Sequence, residues 1–432
     1  MPWNNRPERR TNQIKIDKKN DITNKAEGGT MKTQDFRTRT MMIDHKNPAC
    51  GRAWGIGVDV GYSGTKLFSP NRVACFPSYA TPVTGSLLNL DTPDDSTIFY
   101  RDSETRKVWR VGQSAQDSIS LQDPDQNSES IYDRQRYLTP MYLVVARTAM
   151  GIACSKNEYG EPGNRKVYLQ TGLPNQYLKS DTEDMVRVLA GKHSFDLKIG
   201  GSGWQHFDIE LDTSTIDVMA QPTGTLISVS TVNNGAQTPD YSAVTREPVV
   251  LLDPGFGTMD YFAFRGSEIV RYDTSQDFTM KRVLTDTSAK IFKQYRVEIP
   301  IPAMQKYLSQ GYITQFDKAT RRGYNYDFSG ILEECNQNVA KEAIDYFCEL
   351  FNYFLEYRYL ILTGGTGEAW FPYFKEALAG IPNLTVLPGN KGTEGFFQDS
   401  DGNGSPLPFF FSNVRGYYFS LQLRLMRDKN LV

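Results

Sequence analysis

Short apolar runs that end in glycine-rich turns alternate with stretches of helical spacing along most of the chain. The run Val249–Leu252 stops at Asp253, the chain turns through Gly255, Phe256, Gly257 and Thr258, passes Asp260 and becomes apolar again. The stretch WGIGVDVGYSGTKLFS from Trp54 has the same form, with Asp59, Gly61, Tyr62, Ser63, Gly64 and Lys66 between its two apolar halves. Apolar runs of this length bounded by turn residues predict buried strands. Each stretch therefore reads as strand, turn, strand. An ordinary hairpin needs only one or two turn residues, so these turns carry more chemistry than chain reversal requires.

Helical spacing marks the segments between. TPMYLVVARTAMGIAC predicts a helix with Thr139 as its cap and Pro140 in its first position. SDTEDMVRVLAGK predicts a short helix capped by Ser180 or Asp181. Strands are expected around Phe195–Ile199 and Trp204–Leu211, and STIDVMAQPTGTLISVSTV predicts a strand, a proline turn and a helix. The strongest period places Ile331, Cys335, Val339, Ala343, Phe347, Leu350 and Phe354 on one helical face. YLILTGGTGEAW then predicts a strand whose glycine turn opens another helix. Interleaved strands and helices fall into two blocks that begin alike, which predicts an α/β architecture in two related halves.

The bulk numbers narrow the class. The chain has 432 residues and a net charge of −2, enough for two domains and without the footprint of a nucleic-acid binder. Residues 1–53 differ, with 12 Lys and Arg against 6 Asp and Glu and no usable period, and read as a basic, disordered tail. No signal-peptide core or membrane-length apolar run is present, and five scattered cysteines suit a reducing cytoplasm. With three histidines, His45, His193 and His206, zinc chemistry and histidine triads are poor expectations.

Glycines let backbone amides approach phosphate oxygens, while an aspartate at the end of each preceding strand suits Mg²⁺, reached through the ion's waters. Lys66 can reach phosphates as a point charge. The P-loop spacing is absent, and a strand rather than a helix is expected after Lys66. A third turn, Thr363, Gly364, Gly365, Thr366, Gly367, offers bare backbone beside a helix start to a flat ring. Gln221, followed by Pro222, is an ordinary proline turn by itself; taken together with these three turns it is expected to orient a water for attack on a γ-phosphate.

In this order, DVGYSGTK, Gln221-Pro222-Thr223, DPGFGTMD and LTGGTGE resemble the motifs of the actin-like ATPase superfamily. They are similar to its first phosphate loop, its catalytic glutamine or glutamate, its second phosphate loop and its adenosine loop. YLQTGLPNQYLKSDTEDMVRVLAGKHSFDL and FFFSNVRGYYF, with Asn413, Arg415 and Gly416, are similar to segments of the ParM-type bacterial actins that segregate plasmids. The resemblance covers about Trp54 to Leu425; the basic tail departs from the pattern, and Gln221 replaces the glutamate common in plasmid-segregating members.

The resemblance implies a two-domain, ribonuclease H-like fold with a nucleotide cleft between the domains. Domain I spans 54–246, with a peripheral part at 76–138. Domain II spans 247–432, with a peripheral part at 273–330, and the C-terminal helix packs back on domain I. Asp59, Asp253 and Gln221 are the expected catalytic residues, with both aspartates holding Mg²⁺ through water. Gly61, Tyr62, Ser63, Gly64, Lys66, Gly255, Phe256, Gly257, Thr258, Gly364, Gly365 and Thr366 are expected to bind ATP or GTP. The implied partners are further copies of the chain in a head-to-tail filament and a centromere-binding adaptor protein on plasmid DNA. Neither direct sequence-specific DNA binding nor a membrane is expected. A small-molecule phosphotransferase on the same fold is the competing expectation, with Asp260 as the residue to examine for its base.

Overall fold

The computed structural model describes residues 33–83, 96–119, 133–239, 241–266, 268–398 and 404–428. Most of the tail (1–32), the loop 121–130 and all but the last residue of the loop NLDTPDDS lie outside them.

The first sheet is built from β1 (Met41–Asp44), β2 (Ala53–Val60), β3 (Gly64–Phe68) and β4 (Arg72–Pro77), joined later by two parallel strands. Strands β2 and β3 form the expected hairpin, with Asp59 opposite Lys66. Every residue of β2 is buried, as a central strand covered on both faces requires. Strand β1 overturns the expectation that the tail extends to residue 53. Met41–Asp44 pairs antiparallel with β4, and Asp44 accepts a 2.6 Å ion-pair hydrogen bond from Arg72. The backbone edge of β4 supplies partners that composition does not register.

A peripheral sheet begins with β5 (Ala80–Pro82), β6 (Ile98–Asp102) and β7 (Val108–Val111), beside the short helix α1 (Gln113–Asp117). Helix α2 (Pro140–Cys154) starts as expected: Thr139 accepts a hydrogen bond from the Tyr142 amide and Pro140 occupies the first turn. Strand β8 (Lys166–Leu173) pairs parallel with β2. Helix α3 (Asn175–Leu189) is longer than expected and enters directly from Pro174. Asp181 is no cap; it is buried mid-helix, where Arg134 Nε donates to it at 3.0 Å. Strands β9 (Gly191–Ile199) and β10 (Gln205–Leu211) complete the peripheral sheet in the order β10-β9-β6-β7-β5. That sheet thus recruits residues well beyond 76–138. β9 carries the apolar partners of β6, and the alternating burial of β10 shows one covered and one wet face. Strand β11 (Ile216–Ala220) closes the first sheet, giving β1-β4-β3-β2-β8-β11. Helices α4 (Gln221–Val229) and α5 (Tyr241–Arg246) follow.

The second block repeats the plan. Strands β12 (Val249–Pro254), β13 (Met259–Arg265) and β14 (Glu268–Ser275) form an antiparallel meander. After α6 (Met280–Tyr295), α7 (Ile301–Gln310), the hairpin β15 (Tyr312–Asp317) and β16 (Arg322–Asp327), and α8 (Ser329–Leu350), strand β17 (Tyr359–Leu362) returns parallel to β12. The period that reaches Phe354 outruns α8, because Asn352, Tyr353 and Phe354 all adopt positive φ. Helix α9 (Gly364–Ala377) and β18 (Thr385–Pro388) give the sheet order β14-β13-β12-β17-β18. This matches β4-β3-β2-β8-β11 strand for strand: one three-stranded meander, then two parallel strands. The likeness of the two blocks is thus one of topology, which no residue-level repeat records.

Helix α10 (Ser412–Arg427) lies across β2, β8 and α4. It reaches the strand because Gly55 and Gly57 carry no side chains; a Cβ on Gly57 would stand 2.8 Å from the Val414 carbonyl oxygen. Val414, Tyr417, Tyr418 and Leu421 are fully buried along its inner face. No helix among the described residues is long and apolar enough to cross a membrane.

Candidate functional site

The two hairpins close their turns in the same way. The Gly61 amide donates to Gly64 O at 3.1 Å, and the Gly255 amide donates to Thr258 O at 2.8 Å. Each turn follows a buried aspartate by two residues. In the first, a Cβ on Gly61 would fall 2.8 Å from Gly64 O and 2.9 Å from Lys66 Nζ, so only glycine fits. The turns also meet: a Cβ on Gly257 would stand 3.0 Å from the Tyr62 ring. Ser63 is fixed through its carbonyl, which accepts from the Ser78 amide at 3.0 Å.

Asp59 Oδ2 pairs with Lys66 Nζ at 3.3 Å, and its Oδ1 accepts from Gln221 Nε2 at 3.4 Å. Gln221 is the first residue of α4 rather than the end of a strand, with Pro222 in the first turn. The proline aids helix entry there, because its missing N–H would have had no helical partner.

Asp253 accepts from Asn413 Nδ2 at 2.8 Å through Oδ2. Burial raises its carboxyl from 3.8 to about 6; the Asn413 hydrogen bond opposes the rise and the Asp59 charge adds to it. Asp260 lies opposite Asp253 in the β12–β13 register. Burial pushes it up to about 7, against the hydrogen bond from Thr274 and with the charge of Asp253 adding to the rise.

The third turn docks on the second. Gly364 has φ +76°, and a Cβ there would stand 2.4 Å from Asp253 Oδ1 and 2.8 Å from Pro254 O. Thr366 Oγ1 donates to Gly255 O at 2.8 Å. Gly365 is open, with the nearest side-chain atom 3.9 Å from where its Cβ would be. The start of α6 holds the second turn from the other side: the Met280 amide reaches Gly255 O at 3.2 Å and the Lys281 amide reaches Phe256 O at 2.8 Å.

The expected residues therefore fall into two contacting groups, Asp59 with Lys66 and Gln221, and Asp253 and Gly255 with Gly364 and Thr366, and the two turns approach each other at Tyr62 and Gly257. Two supports escaped sequence reasoning. Arg136 Nη1 donates to Gly61 O at 3.0 Å, its other terminal nitrogen donates to Val60 O, and the guanidinium lies 4.3 Å from the Tyr62 ring centroid. Nothing in its local sequence marks it. Asn413 stood out only as part of a closing motif; its contact with Asp253 spans 160 positions in the chain.

A magnesium ion fits this donor set in one way. Among the described residues no group of three or more His, Cys, Asp or Glu could hold a metal by itself. Asp59 and Asp253 are hard oxygen donors, the two oxygens of Asp59 engaged by Lys66 and Gln221 and one oxygen of Asp253 by Asn413. Mg²⁺ usually keeps several waters and shares phosphate oxygens, so an ion arriving on a nucleotide suits two carboxylates better than a bare ion does.

Matching meander-and-parallel sheets, each sending an Asp-x-Gly turn to one site, define an actin-like fold. Residues 57–224 match the family model described as actin like proteins N terminal domain. The pCBH ParM non-polymerisable quadruple mutant matches with a TM-score of 0.62 at 18% identity, over 85% of this chain and 98% of that one. A 15-stranded ParM filament from Clostridium botulinum matches equally, at TM-score 0.62 and 18% identity over 86% and 99%. The archaeal actin homologue Ta0583 in complex with ADP matches at TM-score 0.55 and 13% identity, over 85% and 98%. No curated protein sequence matches the chain.

Proposed function

We propose that this protein is a nucleotide-gated filament former that binds and hydrolyses Mg-ATP, or Mg-GTP, between domains I (54–246) and II (247–432). The observation that carries the reading is the meeting of the two Asp-x-Gly turns, with Gln221 on Asp59 and Asn413 on Asp253. Lys66 supplies positive charge facing the phosphates. The Gln221 carboxamide, at the start of α4, orients the attacking water, a positioning role suited to phosphoryl transfer. Gly364, Gly365 and Thr366 offer backbone to the nucleoside. Asp59 and Asp253 hold magnesium through its waters, and the bound ion neutralises phosphate charge.

Assembly is inferred from the fold shared with ParM filament proteins. Head-to-tail contact between copies is heterologous and yields open polymers. Plasmid segregation through a DNA-bound adaptor belongs to the same reading. The phosphotransferase alternative loses support from Asp260, which is 2% exposed and engaged by Thr274, and so is poorly placed to deprotonate an acceptor.

High-speed pelleting with light scattering tests the reading, using Mg-ATP, Mg-GTP, Mg-ADP and no nucleotide beside Asp253→Ala. Triphosphate-dependent pelleting that disappears in the variant is the expected result. A protein that turns over nucleotide yet stays soluble at every concentration would sink the filament proposal.

A further inference from the structure

We propose that Asn413 is a positioning residue for hydrolysis, coupling Asp253 to the helix that carries Gln221; this rests on the nucleotide site proposed above. Its carboxamide is used at both ends. Nδ2 donates to Asp253 Oδ2 at 2.8 Å, and Oδ1 accepts from Thr225 Oγ1 at 2.7 Å. Thr225 is fully buried in α4, one turn beyond Gln221. Gln221 in turn reaches Asp59. A continuous path therefore runs from Asp253 through Asn413, Thr225 and α4 to Gln221 and Asp59, linking the second turn to the first behind the site.

The backbone leaves this path little slack. Helices α10 and α4 cross where Gly416 faces Gly224, and a Cβ on Gly416 would fall 1.8 Å from Gly224 O. A Cβ on Gly224 would fall 2.7 Å from the Asn413 carbonyl oxygen. With the helices in backbone contact, Asn413 is held at fixed distance from both partners. The carboxamide can donate to the carboxylate through its NH2 and accept from the hydroxyl through its oxygen at the same time. An aspartate would set two acceptors against each other, and an alanine would leave the Thr225 hydroxyl buried without this partner.

Steady-state turnover of Mg-ATP by the full chain, with binding of a fluorescent ATP analogue in parallel, tests the inference. Asn413→Ala is expected to lower kcat about 10- to 100-fold, as loss of a ligand-orienting partner does, with KM changed little. Thr225→Val should give a smaller loss of the same kind, and Thr225→Ser should restore it. Asn413→Ala combined with Asp253→Asn should be no slower than Asp253→Asn alone, because coupled residues are not additive. Unchanged kcat in Asn413→Ala and Thr225→Val, or losses that multiply in the double variant, would overturn the inference. If Asn413→Ala does not fold, the Thr225 pair decides. A wild-type protein that neither binds nor turns over nucleotide would defeat the site reading itself, a distinct outcome.

Different contacts carry a second inference: residues 33–44 form a strap across the outside of the same site, and we infer that it slows nucleotide release. Thr33–Phe36 packs on α7, with Thr33 and Phe36 buried. The Thr38 amide donates to Gln305 Oε1 at 3.3 Å, and Arg37 pairs with Asp117 of α1. The Thr38 methyl group lies on the first turn, 2.9 Å from where a Gly64 Cβ would be. Strand β1 then anchors the segment to β4. One short stretch thus touches α7 from the second block, α1 from the first, and the phosphate turn between. Release of a fluorescent ATP analogue should quicken about three- to fivefold in Arg37→Glu, the rate equivalent of one part-buried ion pair. The charge exchange Arg37→Glu with Asp117→Arg should restore the slow rate. Wild-type release in Arg37→Glu, or no rescue by the exchange, would overturn it.

Discussion

Asp253→Asn is expected to stabilise the nucleotide-free protein while lowering, without abolishing, the nucleotide turnover proposed above. The native carboxyl sits at about 6 instead of 3.8 because it is buried. Between these values the native state keeps a proton that the unfolded chain has released. The penalty for ionising the buried group is therefore absent below pH 4, grows as pH rises, and is complete above about pH 6. At about 1.4 kcal/mol for each tenfold change, the difference amounts to about 3 kcal/mol at pH 8. Asparagine has no charge to desolvate and can still accept the hydrogen bond from Asn413 through its own carbonyl oxygen. For a chain of this size the gain corresponds to a rise in Tm of roughly 3–6 °C. Thermal denaturation of both proteins without nucleotide, at pH 8 and pH 5, measures it. The variant's advantage should be large at pH 8 and should shrink at pH 5, where Asp253 is mostly protonated. Mg-ATP should then stabilise the wild type more than the variant. A variant no more stable than wild type at pH 8, or equally advantaged at both pH values, would refute the burial argument.

Three other outcomes follow from the same geometry. Gly364→Ala should destabilise by at least about 2 kcal/mol, since φ of +76° is strained for alanine and the new methyl group collides with Asp253 and Pro254; urea denaturation measures it. Gln221→Ala should lower kcat for nucleotide hydrolysis about 100-fold with little change in nucleotide affinity, because it removes orientation and not binding. Arg415→Met should cost about 3 kcal/mol in urea denaturation. The guanidinium is fully buried, with burial pulling it down to about 9, and it donates to the carbonyls of Ser228, Thr231 and Gly392 that methionine would leave without this donor.

What the sequence disclosed depended on how local the cause was. The turns at Asp59 and Asp253, the Thr139 cap and the strand before Gly364 all announce themselves within a few residues, because glycine conformation, capping and strand burial act at that range. The helix start at Asn175 was missed because Asp181, a plausible cap by type, is turned inward toward Arg134. Strand β1 was missed because its reason to exist lies on the edge of β4. Arg136 and Thr225 became site residues only when the fold brought them beside Gly61 and Asn413. Composition and period carry no trace of such pairings.

The two hairpins share a backbone plan but not a charge. In the first, Asp59 faces Lys66 across the ladder, so the carboxylate meets a cation within its own hairpin. In the second, the residue facing Asp253 is Asp260, and both carboxyls are pushed upward by burial, with the charge of Asp59 adding to the rise at Asp253 and that of Asp253 to the rise at Asp260. Two facing acids are an unfavourable arrangement for stability alone. The asymmetry makes sense if the second turn awaits positive charge from outside the chain while the first already holds its own. A charged lysine at position 66 and an ionised Asp253 would then act on opposite ends of one ligand, the lysine on its anionic oxygens and the aspartate on the cation that accompanies them. On this argument Lys66→Met should weaken binding of ATP with and without magnesium, whereas Asp253→Asn should weaken only the magnesium-dependent part. Titration of a fluorescent ATP analogue with magnesium and with EDTA separates the two. Equal losses for both variants in EDTA would show that the hairpins do not divide the ligand in this way.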